Sequence, residues 1–370
     1  MMGTRNCLLG MEFGVRQDFE NMSVFPLRFP GNGGPEYITL KEALERGVFV
    51  VAEVSVGGSV PELMVENKGD VAVLLLDGEE VAGAKQNRIL NTTVLIGPKS
   101  TTKIPVSCTE HGRWSYMSDV FFESGNVMAP RQREGKMRSV NVSLRSAQGF
   151  RSDQGAVWDG VAQMAEEAGV RSRTGAMGDV FEAKKKVLDD YLKSFKLEVG
   201  QKGLLVFVGG EVAGLDFVSR EQAFGVLHAK LVKSYAMEAM LAGERAKAGL
   251  EKGKKKGEEQ GGKEGTGEGQ GEKKGAGGRP VKRGVKARGP KPGEAAAREF
   301  LGRAAECGET PYESIGLGTS LRYEGGSVIG SALAVKDHVI HMAFFKTAGN
   351  EAGKAERMAS ASARRGFRTL

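Results

Sequence analysis

Short β-branched runs follow one another between Val48 and Ser107: VFVVAEVSV, ELMVEN, VAVLLLD, RILNTTVLI and TTKIPVS, separated by GG, NKGD, DGEE and GPKS. Apolar runs bounded by such turn residues predict strands. Their close spacing predicts antiparallel pairing in a sandwich- or barrel-like layer. TLKEALERG, Thr39 to Gly47, is the helical interruption, capped by Thr39 and stopped by Gly47.

Glu123 to Gly149 reads as a mobile stretch, and beyond it the apolar period becomes helical. In SDQGAVWDGVAQMAEEAG, Ser152 is expected to cap, and Val157, Val161, Met164 and Ala168 share one face. A second helix is expected from about Gly178 to Phe195. LLVFVGG and EVAGLDFVS read as a hairpin hinged at Gly209 and Gly210. Ser219 and Gln222 form an expected capping box, opening a helix with the stripe Phe224, Leu227, Leu231 and Tyr235. Glu294 to Cys307 reads as a helix, and the run from Glu313 to Phe345 as three or four strands with Gly-Gly and Lys-Asp turns. Strands on both sides of a helical middle predict an α+β fold: a β-rich N-terminal layer packed with helices, and a C-terminal antiparallel sheet portion. Residues 23–345 are expected to form one domain after an N-terminal extension, 1–22. A low-complexity insertion, 246–293, interrupts it, and a basic flexible tail, 346–370, follows.

The formal charge of +7 looks like a nucleic-acid signal until it is located along the chain. Between Glu251 and Gly293 lie 13 Lys and Arg against 6 Glu, which accounts for all of it and leaves 40 of each sign elsewhere. That segment has almost no apolar side chains to offset the entropy of ordering, so it reads as a flexible surface insertion. Its expected partner chemistry is weak, non-specific contact with nucleic acid or acidic surfaces. The widely spaced Cys7, Cys108 and Cys307 argue against a disulfide framework or a structural zinc site. No run is long and apolar enough for a membrane helix, so a cytoplasmic protein with no membrane partner is expected.

Candidate chemistry clusters from Gly78 to Trp114, where GEEVAGAKQNR and SCTEHGRW flank one β-like segment. Arg88, Asn87 and Gln86 offer planar donor arrays suited to phosphates, carboxylates and base edges. Their alternative is an internal network that pins the sheet. Glu79 and Glu80 suit a general base or Mg²⁺, though adjacent acids are common on ordinary surfaces. Cys108, Glu110 and His111 are raw materials for acid, base or nucleophilic work, but neighbours on a strand point apart. Cys108 therefore reads first as a buried small hydrophobe. Trp114 and Trp158 suit stacking on a base or ribose as well as core filling. His228 and His341 lie on apolar stripes and read as core histidines.

The runs GEEVAGAKQNRILNTTVLI, IPVSCTEHGRW, SDQGAVW, GLDF and GLGTSLRYEGGSVIGSALAVKDHVIHMAFF resemble the ARG and rhodanese-phosphatase-superfamily-associated protein domain, first type. The likeness runs from about Phe25 to Phe345, broken by the low-complexity insertion. Its motif positions here are Gly78, Glu79, Gly83, Gln86, Asn87, Arg88, Cys108, Glu110, Gly112, Arg113, Trp114, Gln154 and Trp158. His111 departs from the residue the family often carries there. The family takes its name from encoded neighbours that include ADP-ribosylglycohydrolases, so the resemblance implies a role with ADP-ribose or other NAD-derived nucleotides.

The expected function is therefore binding or processing of a phosphorylated ribonucleotide-type ligand. Gln86, Asn87, Arg88, Arg113, Trp114, Gln154 and Trp158 would bind it. Glu79 and Glu110 would act as catalytic carboxylates in hydrolysis or group transfer on an ADP-ribose-like compound. No metal is assigned, and the cofactor is unknown. The rival is a non-catalytic interaction module in which the motif residues serve fold and partner contact.

Overall fold

In the computed structural model, which describes residues 3–31, 34–55, 61–261 and 291–347, the N-terminal runs become strands of three sheets. The chain opens with α1 (Thr4–Leu9), β1 (Glu12–Phe13), β2 (Gln17–Phe19), β3 (Met22–Arg28) and β4 (Tyr37–Thr39). Thr39 caps α2 (Leu40–Glu45): its hydroxyl accepts from the Glu42 amide, and the Glu42 carboxylate accepts from the Thr39 amide. Next come β5 (Phe49–Glu53), β6 (Glu62–Asn67), β7 (Ala72–Leu75), β8 (Glu79–Gly83), β9 (Arg88–Leu90), β10 (Val94–Ile96), β11 (Ser100–Cys108) and β12 (Phe121–Val127). The helical middle holds α3 (Pro130–Arg145), α4 (Gln154–Glu167), α5 (Met177–Ala183) and α6 (Lys185–Ser194). The hairpin β13 (Gly203–Val208) and β14 (Glu211–Val218) leads to α7 (Glu221–Gly261). After α8 (Glu294–Ala305), the chain ends in β15 (Gly308–Glu313), β16 (Thr319–Gly325), β17 (Val328–Val335) and β18 (His338–Lys346).

Six antiparallel strands in the order β12-β8-β9-β11-β6-β5 form the expected β-rich layer, and β5 returns beside β12, so the layer wraps into a small barrel. Phe49, Val51, Leu63, Val65, Val81, Leu90, Ile104 and Val106 fill its interior. The C-terminal sheet runs β1-β3-β13-β14-β18-β17-β16-β15, with β2 also on β3. Alternate residues of β13 separate its faces. Leu204 and Val206 join the core under α7, while Leu205 and Phe207 join the core under α1 and α8. A three-stranded sheet, β10-β7-β4, couples the two halves. Leu74 faces the helical core, and Val73 and Leu75 face the barrel, which is why VAVLLLD is apolar on both parities. The fold is mixed α+β.

Gly330 of β17 pairs with Phe344 of β18, and a Cβ at Gly330 would stand 2.2 Å from the Phe344 ring. The ring occupies the space a side chain would need. Gly330→Ala is expected to cost about 1–3 kcal/mol by overpacking, read as a lower urea midpoint.

Several expectations change. Residues 1–22, expected to precede the domain, supply α1, β1 and β2, and bury Cys7, Leu8 and Met11 against the large sheet. The stretch read as mobile is β12 and α3, and α3 buries Arg133, Lys136 and Asn141 beside Met137 and Val140. Asp153 rather than Ser152 caps α4, accepting from the Ala156 amide. Lys184 divides the expected second helix into α5 and α6. Ser219 hydrogen bonds the Tyr37 hydroxyl. Helix α7 continues through Gly261 into the Lys- and Glu-rich segment expected to be a loop, as strong helix formers allow when grown from a packed stem. The remainder of the insertion, 262–290, and the tail from 348 lie outside the described residues.

Candidate functional site

Strand pairing sets two rows of inward side chains at one end of the barrel. Val81, Arg88 and Cys108 lie in register across β8, β9 and β11, and Glu53 follows Phe49 and Val51 at the same parity on β5. Arg88 and Glu53 therefore meet inside the barrel, with side chains 0% and 4% exposed and Nη2 3.8 Å from Oε1. Arg88 Nη1 donates to the Gln86 carbonyl at 3.2 Å and to Gln86 Oε1 at 3.1 Å. Arg88 Nε and Nη2 and both Glu53 carboxylate oxygens have no hydrogen-bond partner among the described residues. Burial pulls the Arg88 pKa down, opposed by Cys108 and Glu53. Burial also raises the Cys108 thiol, against the pull of Arg88. Cys108 is fully buried, in keeping with the reading of a small hydrophobe.

Beyond Arg88 the end of the barrel is covered by aromatics. The Arg88 guanidinium lies 5.9 Å from the Trp114 ring centre, and Lys85 Nζ lies 5.2 Å from Trp114 and 5.1 Å from Tyr116. Trp114 is 50% exposed and Tyr116 48%, and both sit in the irregular segment between β11 and β12. At this mouth two buried cations, Arg88 at 0% and Lys85 at 9% exposure, lie beneath half-exposed aromatic faces, an arrangement suited to a ring-bearing anion.

Arg113 does other work. Its Nε and Nη2 hold Glu110 at 2.9 and 2.7 Å, Nη1 reaches the Ala84 carbonyl at 2.7 Å, and Nη2 reaches Asn87 Oδ1 at 3.2 Å. It staples the β8–β9 turn to the loop after β11. Burial raises the Glu110 carboxyl, but its bonds to Arg113 and Thr174 outweigh that and leave it below the ordinary range. Such a carboxylate is ionised and already occupied, an arrangement poor for a base.

Gln154 and Glu79 are also committed internally, whereas the buried Nε1 of Trp158 has no hydrogen-bond partner among the described residues. Gln154 accepts from the Cys108 amide at 2.8 Å and donates to its carbonyl at 2.9 Å, tying α4 to the end of β11. Trp158 packs edge-on against His111, with ring centres 4.4 Å apart. Glu79 is fully buried, accepts from the Leu76 amide at 3.0 Å and pairs with Lys230, which also holds Glu123 at 2.8 Å. The structure thus brings Gln86, Arg88 and Trp114 together at the mouth, places Asn87, Glu110 and Arg113 in its wall, and sets Glu79, Gln154 and Trp158 behind it. Sequence reasoning held Lys85 in the polar cluster without a binding role, and it missed Glu53 and Tyr116. The signal for Glu53 was an acid at the buried parity of VFVVAEV.

Glu80, by contrast, faces away from the barrel core, accepts from Thr109 at 2.9 Å and Asn126 at 3.2 Å, and has its carboxyl raised by burial. A second polar centre lies between barrel and large sheet. Arg133 Nη1 and Nη2 hold Asp216 at 2.8 and 2.7 Å, and the Tyr235 hydroxyl donates to Asp216 at 2.8 Å. Asp77 lies 3.5 Å from Arg133 Nε and pairs with Lys136. Thr93 accepts from the Asp77 amide at 3.0 Å and shares a hydrogen bond of 2.8 Å with His341 Nδ1, while His341 Nε2 lies 3.4 Å from Asp216. Burial brings the Lys136 ammonium down to about 8 despite Asp77.

A cavity of about 300 Å³ opens between α3 and α4, lined in part by Arg131, Gln132, Asp153 and Gln163, and contains none of the mouth residues. Among the described residues, no group of three or more His, Cys, Asp or Glu side chains is placed to hold a metal ion, and no helix is long and apolar enough to cross a membrane. The profile of the ARG and Rhodanese-Phosphatase-superfamily-associated Protein domain matches residues 10–270 and 272–345. No curated protein and no solved structure matches the chain.

Proposed function

The chain belongs to the ARG and Rhodanese-Phosphatase-superfamily-associated Protein domain family, and from that premise we propose that the barrel mouth binds a phosphorylated ribonucleotide-type ligand such as ADP-ribose. The observation that carries this reading is the placement of Lys85 and Arg88 against the half-exposed ring of Trp114. Lys85 meets the phosphate, Trp114 and Tyr116 supply the stacking wall, and Gln86 orients Arg88. Where the bound compound is also turned over, the reaction class is hydrolysis or group transfer. The association of the family with ADP-ribose-handling proteins agrees with this choice of ligand.

Trp114 is exposed enough to be replaced without disturbing the barrel core. Isothermal titration with ADP-ribose, NAD and AMP is expected to give saturable binding to the wild type. Trp114→Ala weakens it by about tenfold or more, the ordinary worth of one aromatic stacking contact. Absence of binding by all three at about 1 mM, the weakest affinity worth assigning to a specific site, would reject the reading.

A second reading rests on exposed apolar side chains of the same segment, Trp114, Tyr116, Met117 and Val120, together with Phe122 at the start of β12. Such a patch suits docking of a protein partner. In that case the mouth takes no small ligand, and Trp114→Ala loses the partner instead.

A further inference from the structure

Arg88 and Glu53 form an unusual pair. They sit inside the barrel at 3.8 Å, beyond hydrogen-bond reach, and two guanidinium nitrogens and two carboxylate oxygens lack hydrogen-bond partners among the described residues. Buried polar groups left so carry a desolvation cost that an incoming group removes. The chemistry of that group is constrained. It must accept from Arg88 and donate to Glu53. A phosphate is an anion and would face the Glu53 carboxylate with like charge; an ammonium would face the Arg88 guanidinium in the same way. A hydroxyl both donates and accepts and carries no charge. Trp114, half-exposed in an irregular segment, is the ring that stands over Arg88 from the solvent side.

We propose that Glu53 and Arg88 form the specificity subsite of the mouth, reading a ribose-type hydroxyl, while the phosphate stays outside at Lys85. This rests on the ligand reading above and narrows it to sugar-bearing ligands with free hydroxyls. Glu53 sets the preference because it cancels the Arg88 charge that would otherwise attract the anion.

The test compares AMP with 2′,3′-dideoxy-AMP and inorganic phosphate by isothermal titration on the full chain. Wild type is expected to prefer AMP over the dideoxy compound by about ten- to a hundredfold, the range for hydrogen bonds to charged groups. Glu53→Gln, checked for folding by near-ultraviolet circular dichroism, loses most of that preference and binds inorganic phosphate more tightly than wild type does. Equal affinity of wild type for AMP and its dideoxy analogue overturns the subsite and leaves the mouth as a ligand site with Arg88 and Glu53 bridged by water. No binding of either nucleotide overturns both readings. The wild-type comparison stands without the variant, so a Glu53→Gln chain that fails to fold does not remove the test.

Discussion

Asp216→Ala is expected to destabilise the chain by about 3–5 kcal/mol, the cost of removing one partner from a buried ion pair. The large value follows from what the substitution strands. Arg133, fully buried, loses two charge-assisted hydrogen bonds, and the buried Tyr235 hydroxyl and His341 ring lose their shared acceptor. Arg133 keeps the Asp77 contact at 3.5 Å, which does not replace a bidentate carboxylate. The same residue shapes the acid limb of stability. Burial raises the Asp216 carboxyl, but Arg133 outweighs burial and brings it down to about 2 from an ordinary 3.8. A carboxyl depressed on folding stabilises fully above its unfolded value and loses that contribution as pH falls through the folded one. Urea unfolding between pH 4 and pH 2 is therefore expected to show wild type losing about 2 kcal/mol more than Asp216→Ala. Parallel acid limbs for the two proteins would mean that Asp216 is not held ionised by Arg133.

That network also marks where sequence reading stops. The apolar periods of β5 to β11 and of α7 were legible because the side chains facing each core are apolar at the right spacing. α3 was not, because its buried face carries Arg133, Lys136 and Asn141, and charges on the inner face cancel the amphipathic signal. Their partners, Asp216, Asp77 and Glu324, lie elsewhere in the chain at separations that no local window spans. The polar motif between Gly78 and Trp114 could be located by its density, but not its division of labour. Whether an arginine faces a ligand or a neighbouring carboxylate depends on strand register, which pairs Arg88 with Cys108 and leaves Arg113 in the loop beyond β11. Arg88 and Glu53 share the barrel interior for the same reason, although β5 and β9 are separated by two strands in the sheet.

Glu79→Ala gives the second large effect, about 3 kcal/mol of lost stability, and separates two roles for this residue. Glu79 is fully buried, and its partner Lys230 is 4% exposed at the side chain, so the substitution leaves an ammonium in a dry site with Glu123 as its remaining anion. Burial lowers the Lys230 pKa, but Glu79 and Glu123 outweigh it and hold the group above the ordinary lysine value. Loss of Glu79 removes one of those two carboxylates. Replacing the pair together, Glu79→Leu with Lys230→Met, is expected to recover most of the stability, because neither charge is then buried alone. The residue's place in the fold decides the binding outcome. β8 points Glu79 toward α7 and the β12 carboxylate, not into the barrel mouth where Lys85, Arg88 and Trp114 converge. Affinity for ADP-ribose in the doubly substituted chain is thus expected to equal wild type. A hundredfold loss of affinity or turnover with stability restored would return Glu79 to the site as a working carboxylate.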